Sequence, residues 1–445
     1  MVARDKRKRY LYTAFMVCLT LSLTLGVAYA QKTIKIGVIG PMKFNVGEEH
    51  WVAASIAAEE INLAGGIKIG DQRHKIELIK EDSNEILSVP DAVNAMERLI
   101  TIKKANFIVG GYRTEAVLAM QEVMADHKVV WINAYIGSPV PAMRLAKDYN
   151  KYKYYFRLAV INPYYTNQIY LNSVSMVAKK VREELGVEKP RVAIMAEKVI
   201  YADPTVDAAK IKLPEMGMEI AGIWRPSPTA SDITAELSAI KDANAHVIFT
   251  MIAGPLGGPF SKQWGELKIP AAPIGVNMQS WSDRQWETTG GLCNYEATFN
   301  YFGEANITPK TISFIKKMKE RYGHTPTNSG VLYEAVYILK EALERAGTME
   351  SEAMIAAVEK TDYVGVSGRI MFTPKDHPQW PHDVMFGPKY VSGCVTQWRD
   401  GKNLIVWPDG KPLLGDKSWV GLKYAGTVDY QLPPWMVDYW TKKKK

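Results

Sequence analysis

The chain has 445 residues, of which 47% are hydrophobic, and a formal net charge of +8 at pH 7. Half of that charge lies in residues 1–30 and half in the four lysines at 442–445, so the rest is close to neutral. A near-neutral body lacks the clustered basic face that nucleic-acid binding requires. The length favours two or three domains of about 150 residues, each large enough to bury a hydrophobic core.

The chain begins with the pattern of a secretory signal. Five basic residues within 4–9 precede an apolar run over 11–27, and the run ends in Ala28-Tyr29-Ala30. A basic start, an apolar segment and an A-x-A end define a cleavable signal peptide. The sequence therefore predicts that residues 1–30 are removed and that the mature protein is periplasmic or otherwise extracytoplasmic. The alternative is an uncleaved membrane anchor, which the shortness of the run and the presence of Thr20, Ser22 and Thr24 within it disfavour.

Strand-like and helix-like segments alternate after the signal. The short runs rich in Val and Ile cover 34–40, 75–82, 106–111, 128–134, 191–197, 246–254 and 272–277. The stretches with helical spacing cover about 48–64, 91–104, 114–126, 163–185, 204–216, 231–243 and 258–267. Such alternation is typical of βαβ units and of parallel sheets covered by helices. Because the pattern occurs on both sides of a connector at 149–157, the sequence predicts an α/β protein with two doubly wound parallel-sheet lobes.

The last third of the chain is different. Amphipathic helical patterns dominate from 309 to 360, and one more strand-like run covers 390–398. Residues 409–445 are rich in proline and aromatic residues and predict an irregular extension packed over the body. A partly disordered tail is the alternative.

Two cysteines follow the signal, Cys293 and Cys394. An oxidising compartment permits a disulfide between them. The sequence does not show whether their Cα atoms approach within bonding range, so a bridge and two free thiols both remain open.

The chain lacks the usual catalytic motifs. It contains no G-x-S-x-G elbow, no Walker A loop and no H-E-x-x-H pair. Residues 376–383 (DHPQWPHD) cluster two His and two Asp, but their spacing fits no standard zinc site and favours a solvated loop. We therefore expect no enzymatic activity, no metal and no cofactor.

Several segments together resemble one family. They include IKIGVIGP, AAEEINLAGGIK, RVAIMAEKVIYAD, SDITAELSAIKDANAHVIF and VLYEAVYILKEALERAG, and similar segments run in order from about residue 33 to 408. In these the chain resembles the substrate-binding proteins of branched-chain amino acid ABC importers, the type I periplasmic binding proteins. The resemblance implies two lobes joined by three crossovers. We expect lobe 1 to comprise 31–157 plus 302–387, lobe 2 to comprise 158–301 plus 388–408, and 409–445 to form the C-terminal extension.

The resemblance also implies a function. A monomeric protein of this type captures a small solute by hinge closure and delivers it to a membrane permease that is coupled to ATPase subunits. The expected cargo is a small amino acid or an apolar or aromatic carboxylate. The alternatives are a ligand-sensing receptor ectodomain of the same fold and a secreted enzyme on an α/β scaffold.

The site that the resemblance implies lies at the strand exits, where doubly wound sheets bind their ligands. Its expected ligand-binding residues are Phe44, Tyr112, Arg113, Thr114, Ala134, Tyr135, Tyr201, Ala253, Gly254, Asn277 and Trp281. In the family, groups at the positions of 112–114 and 134–135 hold the ligand carboxylate. A tyrosine like Tyr201 covers the ligand, and an acid at the position of Asn277 takes the α-ammonium.

Two residues depart from that pattern. Asn277 cannot neutralise a buried ammonium, and an arginine such as Arg113 can clamp a carboxylate with two hydrogen bonds. This favours a ligand with an anionic group and no obligatory ammonium, with Trp131, Tyr135, Tyr201 and Trp281 packing on its body. The alternatives are that Arg113 is a surface residue opening a helix and that the aromatic residues are core.

Overall fold

The computed structural model describes residues 32–159, 161–328 and 330–444, so the predicted signal peptide lies outside the described residues. Its strands are β1 (Thr33–Gly40), β2 (Ile67–Ile69), β3 (Gln72–Asp82), β4 (Phe107–Gly110), β5 (Trp131–Asn133), β6 (Tyr155–Arg157), β7 (Arg191–Ala196), β8 (Glu219–Trp224), β9 (Val247–Ile252), β10 (Ala272–Asn277), β11 (Ala297–Asn300), β12 (Tyr363–Val364), β13 (Arg369–Ile370), β14 (Cys394–Arg399) and β15 (Lys402–Trp407).

The helices lie between these strands. They are α1 (Asn45–Leu63), α2 (Val89–Glu97), α3 (Thr114–His127), α4 (Val140–Lys147), α5 (Tyr149–Tyr152), α6 (Pro163–Leu185), α7 (Asp203–Glu215), α8 (Thr234–Asp242), α9 (Gly257–Glu266), α10 (Arg284–Thr289), α11 (Thr311–Tyr322), α12 (Gly330–Ala346), α13 (Ser351–Val358) and α14 (Pro434–Lys443). Short 3-10 turns cover Ile200–Ala202, Met278–Trp281 and Lys417–Trp419.

Two parallel sheets form the centre of the fold. The first sheet has the order β2-β3-β1-β4-β5-β6, with only β2 antiparallel to its neighbour, and the second has the order β10-β9-β7-β8. The central strands are buried along most of their length because helices cover both faces, which explains their continuous Val and Ile runs. This confirms the predicted α/β class with two parallel sheets.

A third, smaller sheet joins the end of the chain to the second sheet. It is antiparallel, with the order β11-β14-β15, and β11 lies beside β10. The sequence predicted only the first of the two late strands that form it, within the run 390–398.

The helices of the last third return to the first sheet. Helix α12 packs on α1. From α11, Lys317 and Arg321 form ion pairs with Glu60 and Glu59 of α1 at 2.5 and 2.6 Å. The amphipathic pattern over 309–360 therefore corresponds to three helices, and the first two of them pack against α1.

The C-terminal extension packs on the body through its aromatic residues. It is not irregular throughout, as the sequence predicts, because it contains a helix. Trp419 packs on Trp407 and Phe386, and the chain ends in the ten-residue helix α14. In α14, Trp440 is buried, stacks on His246 and donates its indole N–H to the carbonyl oxygen of Pro270 at 2.7 Å. The last helix thus docks on the edge of the second sheet.

The two cysteines are free and buried, so the bridge that the sequence left open is not formed. Burial raises the pKa of the Cys293 thiol to about 12, and it also raises the pKa of Cys394. Cys394 instead belongs to a small apolar cluster with Ala305 and Ile405. Among the described residues, no helix is long and apolar enough to cross a membrane.

Candidate functional site

The loops at the strand exits of the two sheets meet at one seam. Tyr112 follows β4 of the first sheet, and its hydroxyl donates a hydrogen bond to the carbonyl oxygen of Ala253, which follows β9 of the second sheet, at 3.1 Å. A second hydrogen bond between the two sides joins Arg284 of α10, which donates at 2.9 Å, to Asn45 at the start of α1. The seam therefore joins the carboxyl ends of both parallel sheets, where such sheets bind their ligands.

The turn that presents Tyr112 depends on two glycines. Gly110 and Gly111 have φ values of +107° and +91°, and a Cβ on Gly110 would lie 2.1 Å from the carbonyl oxygen of Ile39. The Trp131 indole and the Asn133 amide donate to the Gly110 carbonyl at 3.0 and 2.9 Å. Trp131 thus supports the turn from the core, in agreement with the alternative that it is a core residue.

A row of aromatic rings lines the first side of the seam. The ring of Tyr135 lies 5.3 Å from that of Tyr112 and 4.9 Å from that of His50. From the second side, the ring of Tyr201 lies against Gly137, since a Cβ there would sit 3.6 Å from it. The predicted residues Tyr112, Tyr135, Tyr201 and Ala253 therefore come together around one seam.

Some buried polar atoms beside these rings have no hydrogen-bond partner among the described residues. They are both ring nitrogens of His50, the hydroxyl of Tyr201 and the side-chain amide atoms of Asn328. Burial lowers the pKa of His50 to about 3, so its ring is neutral. Because buried polar groups are normally paired, these atoms indicate a place for a polar partner.

A buried carboxylate shapes the first side of the seam. Glu85 accepts the backbone N–H groups of Tyr112 and Arg113 at 2.9 and 2.8 Å and the Ser83 hydroxyl at 2.8 Å. Burial raises the pKa of Glu85, and these donors oppose the rise. The donors of this turn are therefore already occupied by a carboxylate of the protein itself.

A second buried carboxylate lies on the other side. Glu197 follows β7, is 1% exposed, and accepts the backbone N–H of Gly254 at 2.7 Å. Burial raises its pKa to about 7. Burial and, after it, the charge of Glu197 raise the pKa values of Tyr112 and Tyr201.

Arg113 does not have the geometry of a carboxylate clamp. Its guanidinium donates to Glu115 at 3.0 Å and to the carbonyl oxygen of Ile86 at 2.9 Å, and the side chain is 37% exposed. Arg113 is the N-cap residue of α3, so the alternative interpretation, a surface residue opening a helix, is the correct one.

The side chain of Asn277 is likewise hydrogen-bonded to residues on its own side of the seam. Its amide nitrogen donates to Glu296 at 2.7 Å and to Ser261 at 3.0 Å, and its oxygen accepts the backbone N–H of Gln279. The side chain is fully buried among these partners. Asn277 therefore stabilises the end of β10. Its lack of charge no longer indicates that the ligand has no ammonium group.

The remaining predicted residues have different surroundings. Phe44 is the half-buried N-cap residue of α1, Thr114 is the buried first residue of α3, and Ala134 is buried after β5. The Trp281 indole donates to Thr298, and its ring lines a cavity of about 390 Å³ with Lys319. Tyr112, Tyr201 and Ala253 do not line that cavity, so Trp281 is separated from the tyrosine cluster.

The His and Asp cluster at 376–383 serves the fold. Asp383 forms a buried ion pair with Arg157 at 2.9 Å, and His382 stacks on Phe156 and bonds to Glu359. The described ranges contain no group of three or more His, Cys, Asp and Glu side chains placed to hold a metal ion.

The sequence of the chain matches the periplasmic binding protein family over residues 33–387. The chain belongs to that family. Among the relatives of this periplasmic binding protein, a Leu/Ile/Val-binding protein homolog 7 of Brucella melitensis is 23% identical over 87% of this chain and 94% of its own length. An amino acid binding protein of Pseudomonas aeruginosa is 25% identical over 59% of this chain and 65% of its own length.

Solved structures of similar fold cover most of the binding protein. A putative branched-chain amino acid ABC transporter protein from Silicibacter pomeroyi covers 91% of this chain and all of its own, with a TM-score of 0.68 and 20% identity. A Streptococcus pneumoniae substrate binding protein in complex with isoleucine has a TM-score of 0.65 and 19% identity, covering 84% of this chain and 98% of its own. A solute binding protein from R. palustris in complex with benzoate has a TM-score of 0.68 and 14% identity, covering 84% and 95%.

Sequence reasoning missed three residues of the seam in this binding protein: His50, Glu197 and Asn328. Glu197 is the last residue of the predicted run 191–197 and directly follows β7, so an acid at a strand exit is a usable signal. His50 and Asn328 lie in or beside helices, where a sequence pattern does not separate a cleft residue from a core residue.

Proposed function

We propose that this protein is the extracytoplasmic solute-binding subunit of an ABC importer. It captures a small amino acid or an apolar or aromatic carboxylate between its two parallel sheets and passes it to a membrane permease. The observation that carries the proposal is the hydrogen bond from Tyr112 to the carbonyl oxygen of Ala253, because it joins the strand exits of both sheets over a cluster of buried polar groups.

The chemistry of the seam supports capture rather than turnover. Aromatic rings and a few convergent polar groups are what small-molecule sites use for affinity and orientation. Both ring nitrogens of His50 lack a hydrogen-bond partner among the described residues, so His50 is not paired with a nucleophile there. The relatives and solved structures of similar fold carry names of binding proteins, and two of those structures hold isoleucine or benzoate.

Closure of two lobes over the solute is consistent with the way in which the chain divides between the two parallel sheets. The first sheet with α11–α13 corresponds to 31–157 plus 302–387, and the second sheet with β14 and β15 corresponds to 158–301 plus 388–408. We take these as the two lobes, with crossovers near 157, 301 and 387 as the hinge and 409–445 as the extension. Opening at these crossovers separates Tyr112 from Ala253 and exposes the seam to solute.

Native mass spectrometry of the protein as purified from its own organism tests this function. We expect a small solute that stays bound in the folded state and is released unchanged on denaturation. Calorimetric titration with the released solute should give one site per chain. A solute that is chemically altered with time, or a protein that binds neither the copurified fraction nor any amino acid or carboxylate, would contradict the proposal.

A conservative variant tests the role of closure. Tyr112→Phe keeps the ring but removes the hydrogen bond to Ala253, and one such bond contributes about two- to tenfold in affinity. We expect the dissociation constant of the copurified solute to rise by that factor, with most of the change in the off-rate. Tyr439→Phe in α14 is the matched control and should leave affinity unchanged.

A further inference from the structure

A second cavity lies beside the crossover near 301, away from the seam. It has a volume of about 390 Å³ and is lined by residues of the third sheet, of helix α11 and of the segment that follows β10. This volume is within the range of about 300–1,000 Å³ that is usual for small-molecule sites. Because Tyr112, Tyr201 and Ala253 do not line it, the proposed function of the seam leaves this cavity without a role.

Three buried aromatic residues form the apolar wall of the cavity. Trp281, Phe302 and Trp398 line it and are at most 3% exposed. The Trp281 indole N–H donates to Thr298 at 3.3 Å. The Trp398 indole N–H donates to the carbonyl oxygen of Ser280 at 3.0 Å. Since both N–H groups are occupied within the protein, the indoles offer the cavity apolar ring surface rather than hydrogen-bond donors.

Two asparagine residues give the same cavity open hydrogen-bond acceptors. Asn300 is 3% exposed, and its Oδ1 has no hydrogen-bond partner in the part of the chain that the structure describes. Oδ1 of Asn403 is likewise unpaired there, although Nδ2 of the same amide donates to the carbonyl oxygen of Ser280 at 2.9 Å. Both asparagines line the cavity. Since buried polar atoms are normally paired, the two oxygens indicate a partner that brings its own donors.

The charged groups of the cavity balance one another. The Lys319 ammonium lies 3.0 Å from Glu304 and 3.8 Å from Asp283. The Asp283 carboxylate also accepts the backbone N–H and the hydroxyl of Thr325 at 2.8 and 2.9 Å. The remaining charged residue of the lining, Lys402, is exposed to solvent. With two acids and two lysines in the lining, neither a carboxylate nor an ammonium finds an unopposed counter-charge, so the cavity favours an uncharged ligand.

We propose that this cavity is a second small-molecule site, for an uncharged ring that carries several hydroxyl groups and has the size of a monosaccharide. The C–H face of such a ring packs on indole surface, and its hydroxyl groups donate to amide oxygens. A carboxylate has no donor for Asn300 and Asn403, and a hydrocarbon leaves both oxygens unpaired. The inference goes beyond the capture of cargo, because the site is separate from the seam and binds its ligand while the seam is occupied.

Calorimetry of the protein as purified tests the proposal. The protein is titrated with glucose, galactose and mannose, and we expect at least one of these sugars to bind with one site per chain. The uronate and the amino sugar that correspond to the tightest sugar are titrated in parallel. Each should bind at least about tenfold more weakly than the neutral sugar, because each adds a charge that the lining opposes.

Asn300→Leu is the decisive variant. It removes an open acceptor and should weaken binding of the sugar at least about tenfold. Because it replaces an unpaired buried amide by an apolar side chain of similar size, the variant should unfold at the same temperature as the parent or higher. Should Asn300→Leu not fold, Leu404→Trp fills the cavity from the half-buried strand β15 and should abolish binding. Asn94→Leu in α2 makes the same exchange outside the cavity and should leave sugar affinity unchanged.

The possible results separate this site from the seam. Sugar binding that is lost in Asn300→Leu and retained in Tyr112→Phe supports the proposal. Failure of all three sugars to bind, or a sugar that keeps its affinity in both Asn300→Leu and Leu404→Trp, overturns it. A uronate or amino sugar that binds as tightly as the neutral sugar also overturns it, as does a crystal soaked with the tightest sugar that shows only ordered water beside Asn300.

Discussion

The ion pair between Arg157 and Asp383 ties the end of the first sheet to the late segment 376–383. Arg157 is fully buried and also donates to the carbonyl oxygen of Ile136 at 2.7 Å, and Asp383 accepts from Asn162 at 2.6 Å. Arg157→Ala leaves Asp383 buried without this partner, and we expect it to lower the free energy of unfolding by about 3–5 kcal/mol.

Urea unfolding measures this loss. Arg369→Ala breaks a solvent-exposed pair with Asp362 and is the control, with an expected change of about 0–1 kcal/mol. Equal effects of the two variants would show that burial of the Arg157 pair does not increase the loss in the free energy of unfolding.

Glu334 has a pH-dependent effect on stability. Burial raises its pKa in the folded protein from 4.5 to about 7, so the folded state holds its proton more tightly than the unfolded state. Its contribution is therefore most favourable below pH 4.5 and is lost as the pH rises through about 7. Glu334→Gln cannot ionise and should gain stability relative to the parent between pH 5 and pH 8.

Thermal unfolding of both proteins at the two pH values checks this, and exposed Glu320→Gln is the control. A stability difference between Glu334→Gln and the parent that does not change with pH would contradict the burial argument.

At the scale of the elements, α14 is attached to the second sheet by buried side chains and indole hydrogen bonds. Met436 is fully buried at its centre, and the indoles of Trp435 and Trp440 donate to the carbonyls of Ile269 and Pro270 just before β10. Met436→Ala should cost about 2–5 kcal/mol because it leaves a cavity in this contact. The exposed Asp438→Ala in the same helix is the control, and chemical denaturation is the measurement. A loss below about 0.5 kcal/mol would show that α14 is not docked.

The helices and strands that could be predicted from the sequence are those whose residues give a long, regular pattern of buried positions. The strands at 33–40, 107–110, 191–196 and 272–277 and the helices at 114–127 and 163–185 agree with the predicted segments within a few residues. The edge strand β8 (219–224) was missed because it is only half-buried and carries Glu219 and Gly222. Strands β2 and β6 were missed because three residues give too short a pattern.

For the whole molecule, the sequence indicated which loops meet at the seam better than it indicated which partners each side chain has there. Tyr112, Tyr135, Tyr201 and Ala253 were found because the strand-exit rule brings distant loops to one edge. The roles of Arg113 and Asn277 were wrong because each has a partner from another segment, Ile86 and Glu296 respectively. Such tertiary partners leave no local pattern in a single sequence.

The central claim is that a solute is captured between the two parallel sheets. The most direct test is a crystal structure of the protein purified with its own solute. We predict ligand density at the seam, in contact with Tyr112 and Tyr201. Density in the separate cavity beside Trp281 and Lys319, with no ligand at the seam, would contradict the account.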